Sequence, residues 1–121
     1  MNFHSTRSQQ TVGLEEALMK GIAADGGLFV PESLPAFALD DFASADDLLS
    51  IAEVLLGPFV EGTRLEASLA AILAETLHFP IPSVPLDWDH GPAWLLELFH
   101  GPTAAFKDVG AGFLAASMSR L

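Results

Sequence analysis

From Val109 to Ser119 the chain carries no charged residue, and Thr103, just upstream, is placed to cap a helix running from about Ala104 to Arg120. A helix that is apolar all round has no face to give to water and must be covered on every side. Gly110 and Gly112 each weaken such a helix by roughly 1 kcal/mol relative to alanine. That is tolerable where another element packs very close. In 121 residues little is left to build the covering. The expectation is an incomplete polypeptide, whose missing C-terminal part supplies the other side of the core.

Composition narrows the classes of function. Hydrophobic residues make up 50% of the chain, enough for a packed core. Acidic residues dominate, 16 Asp+Glu against 5 Lys+Arg, for a formal net charge of −11. Such a surface repels phosphate backbones and anionic lipid, which argues against nucleic-acid and membrane partners. There are no cysteines, so disulfides and thiolate metal sites are excluded, and the composition fits a reducing cytoplasm. Met1–Gln10 is polar and lacks the apolar centre of a secretion signal. The uncharged run from Val109 is shorter than the about 20 residues that cross a bilayer.

Apolar spacing places the other elements. Leu14, Leu18 and Ile22 fall on one helical face, and Asp25-Gly26-Gly27 ends that helix. Leu28–Val30 reads as a strand stopped by Pro31, and 31–39 as loop. Ser44 is placed to cap a helix through Leu56, which Gly57-Pro58 stops. Thr63 and Glu66 have the spacing of a capping box for a helix reaching about Leu77. Phe79–Pro85, with three prolines, reads as a boundary. Val84–Leu86 and Ala93–Phe99 are predicted strands, the second apolar enough to be buried on both faces. This divides the chain into a small, mainly helical α+β domain over 1–79 and, from 80 to 121, the first strand, turn and helix of a larger α/β domain.

The chemistry concentrates at one residue. Lys20, near the end of an amphipathic helix, reads as a solvated charge. Lys107 follows an apolar strand and opens the uncharged helix. Burial and the positive helix terminus both favour the neutral amine there, while Asp108 opposes them if it points inward. A neutral lysine can condense with an aldehyde, and helix N–H groups suit a cofactor phosphate. The plainer reading is a lysine whose stem packs on the core while its amine reaches water. His100, beside Gly101-Pro102, is a candidate acid–base group but more simply a turn-ordering hydrogen bonder. His4, His78 and His90 have no metal-ligand spacing, and Asp87, Asp89 and His90 surround a turn. No metal site is expected. Asp25-Gly26-Gly27 lacks the longer glycine pattern of a phosphate loop.

Leu96-Glu97-Leu98-Phe99-His100-Gly101-Pro102-Thr103-Ala104-Ala105-Phe106-Lys107-Asp108 resembles the pyridoxal-phosphate lysine segment of the threonine synthase family, with Ala104 in its variable slot. Ser5-Thr6-Arg7, Ala24-Asp25-Gly26-Gly27-Leu28-Phe29-Val30-Pro31 and Leu34-Pro35 match further upstream, in order. The resemblance implies a fold type II enzyme, α/β overall. It implies conversion of O-phospho-L-homoserine and water to L-threonine and phosphate. Lys107 would hold pyridoxal 5′-phosphate as an imine and then move protons. Thr103, Phe106 and Asp108 would support it as helix cap, as packing beside the cofactor and through local electrostatics. The family's phosphate-gripping loop lies beyond this chain, so the 121 residues alone are expected to be inactive. Two other readings stand beside this one. The first is a related lyase acting on another phosphorylated or hydroxylated amino acid. The second is a non-catalytic interaction module that uses the apolar 109–119 helix.

Overall fold

A computed structural model describes residues 1–121. The N-terminus is a strand: β1 (Asn2–Ser5) lies between β2 (Thr11–Gly13) and β3 (Phe29–Pro31) in an antiparallel sheet. Phe3 faces Val12 on one side and Pro31 on the other. Phe3, Ser5 and Val12 are buried, whereas Asn2 and Thr11 are exposed, so the period-2 alternation of a one-sided sheet is present. The segments from Asn2 to Gly13 are too short and polar to stand out in the sequence. The small domain therefore holds one more layer than helical spacing alone suggests.

Helix α1 (Leu14–Lys20) covers the sheet with Leu14 and Ala17, while Glu15 and Glu16 sit at the positive end of its dipole and Lys20 at the negative end. Helix α2 (Leu48–Val60) differs from expectation at both ends. Its cap is Asp47, not Ser44: the Asp47 carboxylate accepts from the Ser50 amide at 2.7 Å, and the Ser50 hydroxyl accepts from the Asp47 amide at 3.2 Å. At the other end the helix runs through Gly57-Pro58 to Val60. A proline in the last turn removes one hydrogen bond. One further turn buries Val60 and packs Phe59 on the core, and the Glu61 amide donates to the Gly57 carbonyl. Burying such a side chain contributes about 1.5–3 kcal/mol, which outweighs the lost bond.

The capping box before helix α3 (Leu69–Thr76) forms in a displaced version. Thr63 Oγ1 accepts from the Leu65 amide, and Glu66 Oε2 reaches back to the Gly62 amide at 2.7 Å. A 3-10 turn at Glu66–Ser68 then precedes the α-helix. Leu65, Ile72 and Leu73, each at most 1% exposed, form the centre of the core with Phe3, Val12, Leu14, Leu69 and Val60.

After the proline-rich crossover, β4 (Ser83–Leu86) and β5 (Ala93–Leu96) make an antiparallel hairpin, with Val84 opposite Leu95 and Pro85 opposite Trp94. Two expectations are corrected here. The second strand ends at Leu96, and it is open on both faces: Trp94 is 61% exposed on one and Leu95 42% on the other. A two-stranded ribbon has no layer above or below it within these residues. The last helix, α4 (Lys107–Met118), begins three residues later than its apolar pattern suggests. It packs on α3 through Gly112, where an added Cβ would lie 3.5 Å from Thr76, and it buries Ala116 and Ser117. The close approach expected of its glycines is made at Gly112 but not at Gly110, which has open space beside it. Ala111, Leu114 and Met118 remain exposed. No helix is long and apolar enough to cross a membrane.

Candidate active site

Lys107 is the first residue of α4 and follows the turn 101–106. Three local features shape that turn. Gly101 accepts the Ala104 amide on its carbonyl at 3.0 Å. Ala104 has φ +55°, a left-handed conformation that reverses the chain before the helix begins; an L-residue holds it at a cost of about 1–2 kcal/mol. Asp108 reaches backwards to close the turn: Oδ2 accepts from the Thr103 amide at 2.8 Å and Oδ1 from the Thr103 hydroxyl at 2.5 Å. A side chain on Gly101 would meet Asp108 Oδ2 at 2.5 Å and its Cβ at 2.8 Å, so glycine is needed for the carboxylate to fit.

This reverses the expected role of Thr103. Its hydroxyl donates to Asp108 and does not cap the helix, and Phe106 occupies the cap position with no side-chain hydrogen bond. The cause is the ionised carboxylate five residues further on, a stronger partner for the hydroxyl than a helix amide. The Thr103 hydroxyl holds the Asp108 carboxyl below its usual value, with the Thr103 and Ala105 amides and the Lys107 charge adding to it and desolvation opposing. Asp108 points neither inward nor at the amine: no ion pair links it to Lys107.

Lys107 itself is exposed, contrary to the expected burial. It lies at an open apolar groove of about 750 Å³, whose walls include Leu48, Ile81, Leu96, Leu98, Phe106 and Val109. Phe106 is 74% exposed and stands at that rim. Three of the five cations are paired, Lys20 with Glu16, Arg64 with Glu15 and Arg120 with Glu75. The amine of Lys107 has no carboxylate within ion-pair distance. A primary amine beside an apolar wall fits an aldehyde-bearing aromatic ring such as that of pyridoxal phosphate. The amine would attach it and Phe106, Leu98 and Ile81 would line its face.

His100 contacts the segment before the turn: its Nε2 is 2.6 Å from Glu97 Oε2, and its ring lies 4.7 Å from that of Phe99, tilted by 34°. It does not line the groove. Asp87, Asp89 and His90 are exposed around the hairpin turn, and no three His, Asp or Glu side chains converge as metal ligands. Asp25-Gly26-Gly27 has a structural task that spacing did not reveal. Asp25 accepts from the Ser5 hydroxyl at 2.9 Å and the Gly27 amide at 2.8 Å, and Ser5 Oγ accepts from the Arg7 amide. The segments around Ser5-Thr6-Arg7 and Asp25-Gly26-Gly27 thus lock together at the end of the sheet.

This chain is similar to proteins described as threonine synthases. Residues 2–77 match the family described as threonine synthase N terminus. The chain is 45% identical over 113 residues to threonine synthase of Pseudomonas aeruginosa, covering 89% of this chain and 24% of the relative. It is 34% identical to that of Escherichia coli, covering 93% and 26%. A crystal structure described as pyridoxal-phosphate-bound threonine synthase from Brucella melitensis superposes with a TM-score of 0.85 at 34% identity, over 98% of this chain and 26% of that one. Yeast threonine synthase superposes at 0.84 with 30% identity, over 96% and 25%. The chain thus spans about a quarter of the length of the relatives it matches. On the match to more than half its length, the chain belongs to the threonine synthase family.

Proposed function

We propose that this chain forms the N-terminal domain and lysine segment of a pyridoxal-phosphate-dependent threonine synthase of fold type II. The enzyme converts O-phospho-L-homoserine and water to L-threonine and phosphate. The observation that carries the reading is the unpaired amine of Lys107, set at the mouth of an apolar groove by a clasped turn. Residues 1–79 are the scaffold domain and 80–121 open the catalytic domain, with α4 reaching back to place Ala116 in the scaffold core.

In this reading Lys107 holds the cofactor and, once released, carries protons at the substrate carbons. Bound pyridoxal phosphate supplies an electron sink for charge developing on the substrate. Phe106 and the aliphatic wall exclude water from the ring face. Thr103 and Asp108 shape the turn. The cofactor phosphate and the substrate phosphate are gripped by segments downstream of Leu121, so the 121 residues by themselves are expected to release no phosphate from the substrate.

The test is made on the full-length enzyme. Borohydride treatment with cofactor bound should fix a pyridoxyl group on Lys107, identified by peptide mass. Lys107→Ala should lower kcat by more than about a thousandfold, as for loss of a group that acts covalently and as a base. A label on another lysine, or a variant with undiminished turnover, would reject the assignment.

A further inference from the structure

We infer that Asp108 is the positioning residue of Lys107: its carboxylate, by clasping Thr103, sets the turn in the shape that presents the amine to the groove before any cofactor arrives. This rests on the proposed role of Lys107 and adds a residue that acts through it.

The geometry supplies the reasons. A lysine on the first turn of a helix is only as well placed as that turn. This turn contains a left-handed alanine, Ala104, with one glycine, Gly101, and one proline, Pro102, and its side chains do little to hold the helix start by packing: Pro102, Thr103, Ala104 and Phe106 are all exposed. The Asp108 carboxylate makes two of the hydrogen bonds that close it, both to Thr103 and across five residues. Bonds to an ionised acceptor are about twice as strong as neutral ones. Gly101 is kept free of a side chain by the same carboxylate, whose Cβ and Oδ2 fill the space an alanine methyl would take. With both oxygens engaged on Thr103, the carboxylate is also directed away from the neighbouring amine, with which it forms no ion pair. A carboxylate next in sequence to a reactive lysine would otherwise trap it as an ammonium partner.

The alternative roles make different demands. A carboxylate that contacted the cofactor or substrate directly would act independently of Thr103. A carboxylate with a solvated role only would leave the turn unchanged when removed. Thr103→Val deletes the hydroxyl donor without touching charge, and Asp108→Asn keeps the shape while removing the charge.

The experiment uses the full-length enzyme freed of cofactor, with hydrogen exchange of residues 101–108 and the rate of covalent cofactor capture as readouts. Asp108→Ala should speed amide exchange in the turn and slow capture, each by about tenfold or more, the size expected for losing a charge-assisted hydrogen bond. Thr103→Val should do the same in smaller measure. The double variant should be no worse than Asp108→Ala alone, because both act through one contact. Asp108→Asn should recover only part of the turn's protection, since it keeps the shape but loses the charge. Additive effects of the two substitutions, or unchanged exchange and capture in Asp108→Ala, would overturn the inference while leaving Lys107 in place. Absence of covalent capture in the unmodified enzyme would overturn both.

Discussion

Ser5, Asp25 and Gly27 show how little room single positions leave. An added Cβ on Gly27 would lie 2.2 Å from Ser5 Oγ and 3.1 Å from the Arg7 amide nitrogen. Gly27→Ala is therefore expected to destabilise the chain by about 1–3 kcal/mol, the usual cost of forcing atoms into filled space, read by urea unfolding. The Ser8 hydroxyl and the Gly27 amide hold the Asp25 carboxyl below its ordinary 3.8, with desolvation opposing them and the Ser5 hydroxyl adding a lesser contribution. A lowered folded-state value means that the folded chain binds protons less readily than the unfolded one. The contribution of Asp25 to stability is then full above pH 3.8 and is lost as the pH falls through the lower folded value. Asp25→Asn should flatten the acid side of a stability–pH curve in that window and leave its neutral side sloped as before. An unchanged acid limb would show that the carboxylate does not hold the knot. The sequence displayed Asp25-Gly26-Gly27 as a helix exit, but α1 ends earlier, at Lys20, with Gly21 in the left-handed exit conformation and Ile22 outside the helix. The bond between Asp25 and Ser5 spans twenty residues and could be seen only in the folded chain.

Helix α4 tests how local pattern relates to packing. Its two glycines have different surroundings: Gly112 sits at ordinary contact distance from Thr76, and Gly110 faces open space. Alanine at either position should raise the stability of the 121-residue chain, by about 1 kcal/mol at Gly110 and somewhat less at Gly112. Thermal unfolding of both variants checks this. A loss at Gly112→Ala would mean that the contact with Thr76 is tighter than its 3.5 Å distance indicates. The start of the helix was less legible than its middle. An uncharged run announces a covered helix, but where it begins is decided by the left-handed Ala104 and by Asp108 claiming Thr103. Neither is a property of apolar spacing. The same holds at α2, where a proline that should end a helix is carried inside it because Phe59 and Val60 have a core to meet.

Across the whole molecule, apolar surface is divided unequally. Leu73 is 1% exposed at the centre of the core, and Leu96 is 55% exposed on the hairpin. Leu73→Ala should cost about 2–5 kcal/mol and Leu96→Ala under about 0.5 kcal/mol in the unfolding of this chain. Comparable losses at the two sites would mean that the hairpin is packed against something in solution. The same division explains what could be read in advance. Sequence by itself indicated the helices and the turn residues and singled out Lys107. Each is encoded within a few neighbours by side-chain spacing, glycine and proline torsions, and residue chemistry. It also marked β5 and α4 as strongly apolar, although β5 is open to solvent within these residues. Tertiary structure alone decided the N-terminal sheet, the helix limits and the clasp of Asp108 on Thr103. It also decided that Lys107 stands at an open groove within these residues. Those features depend on which groups meet after the chain has turned back on itself, and a linear pattern of residues carries no record of that meeting.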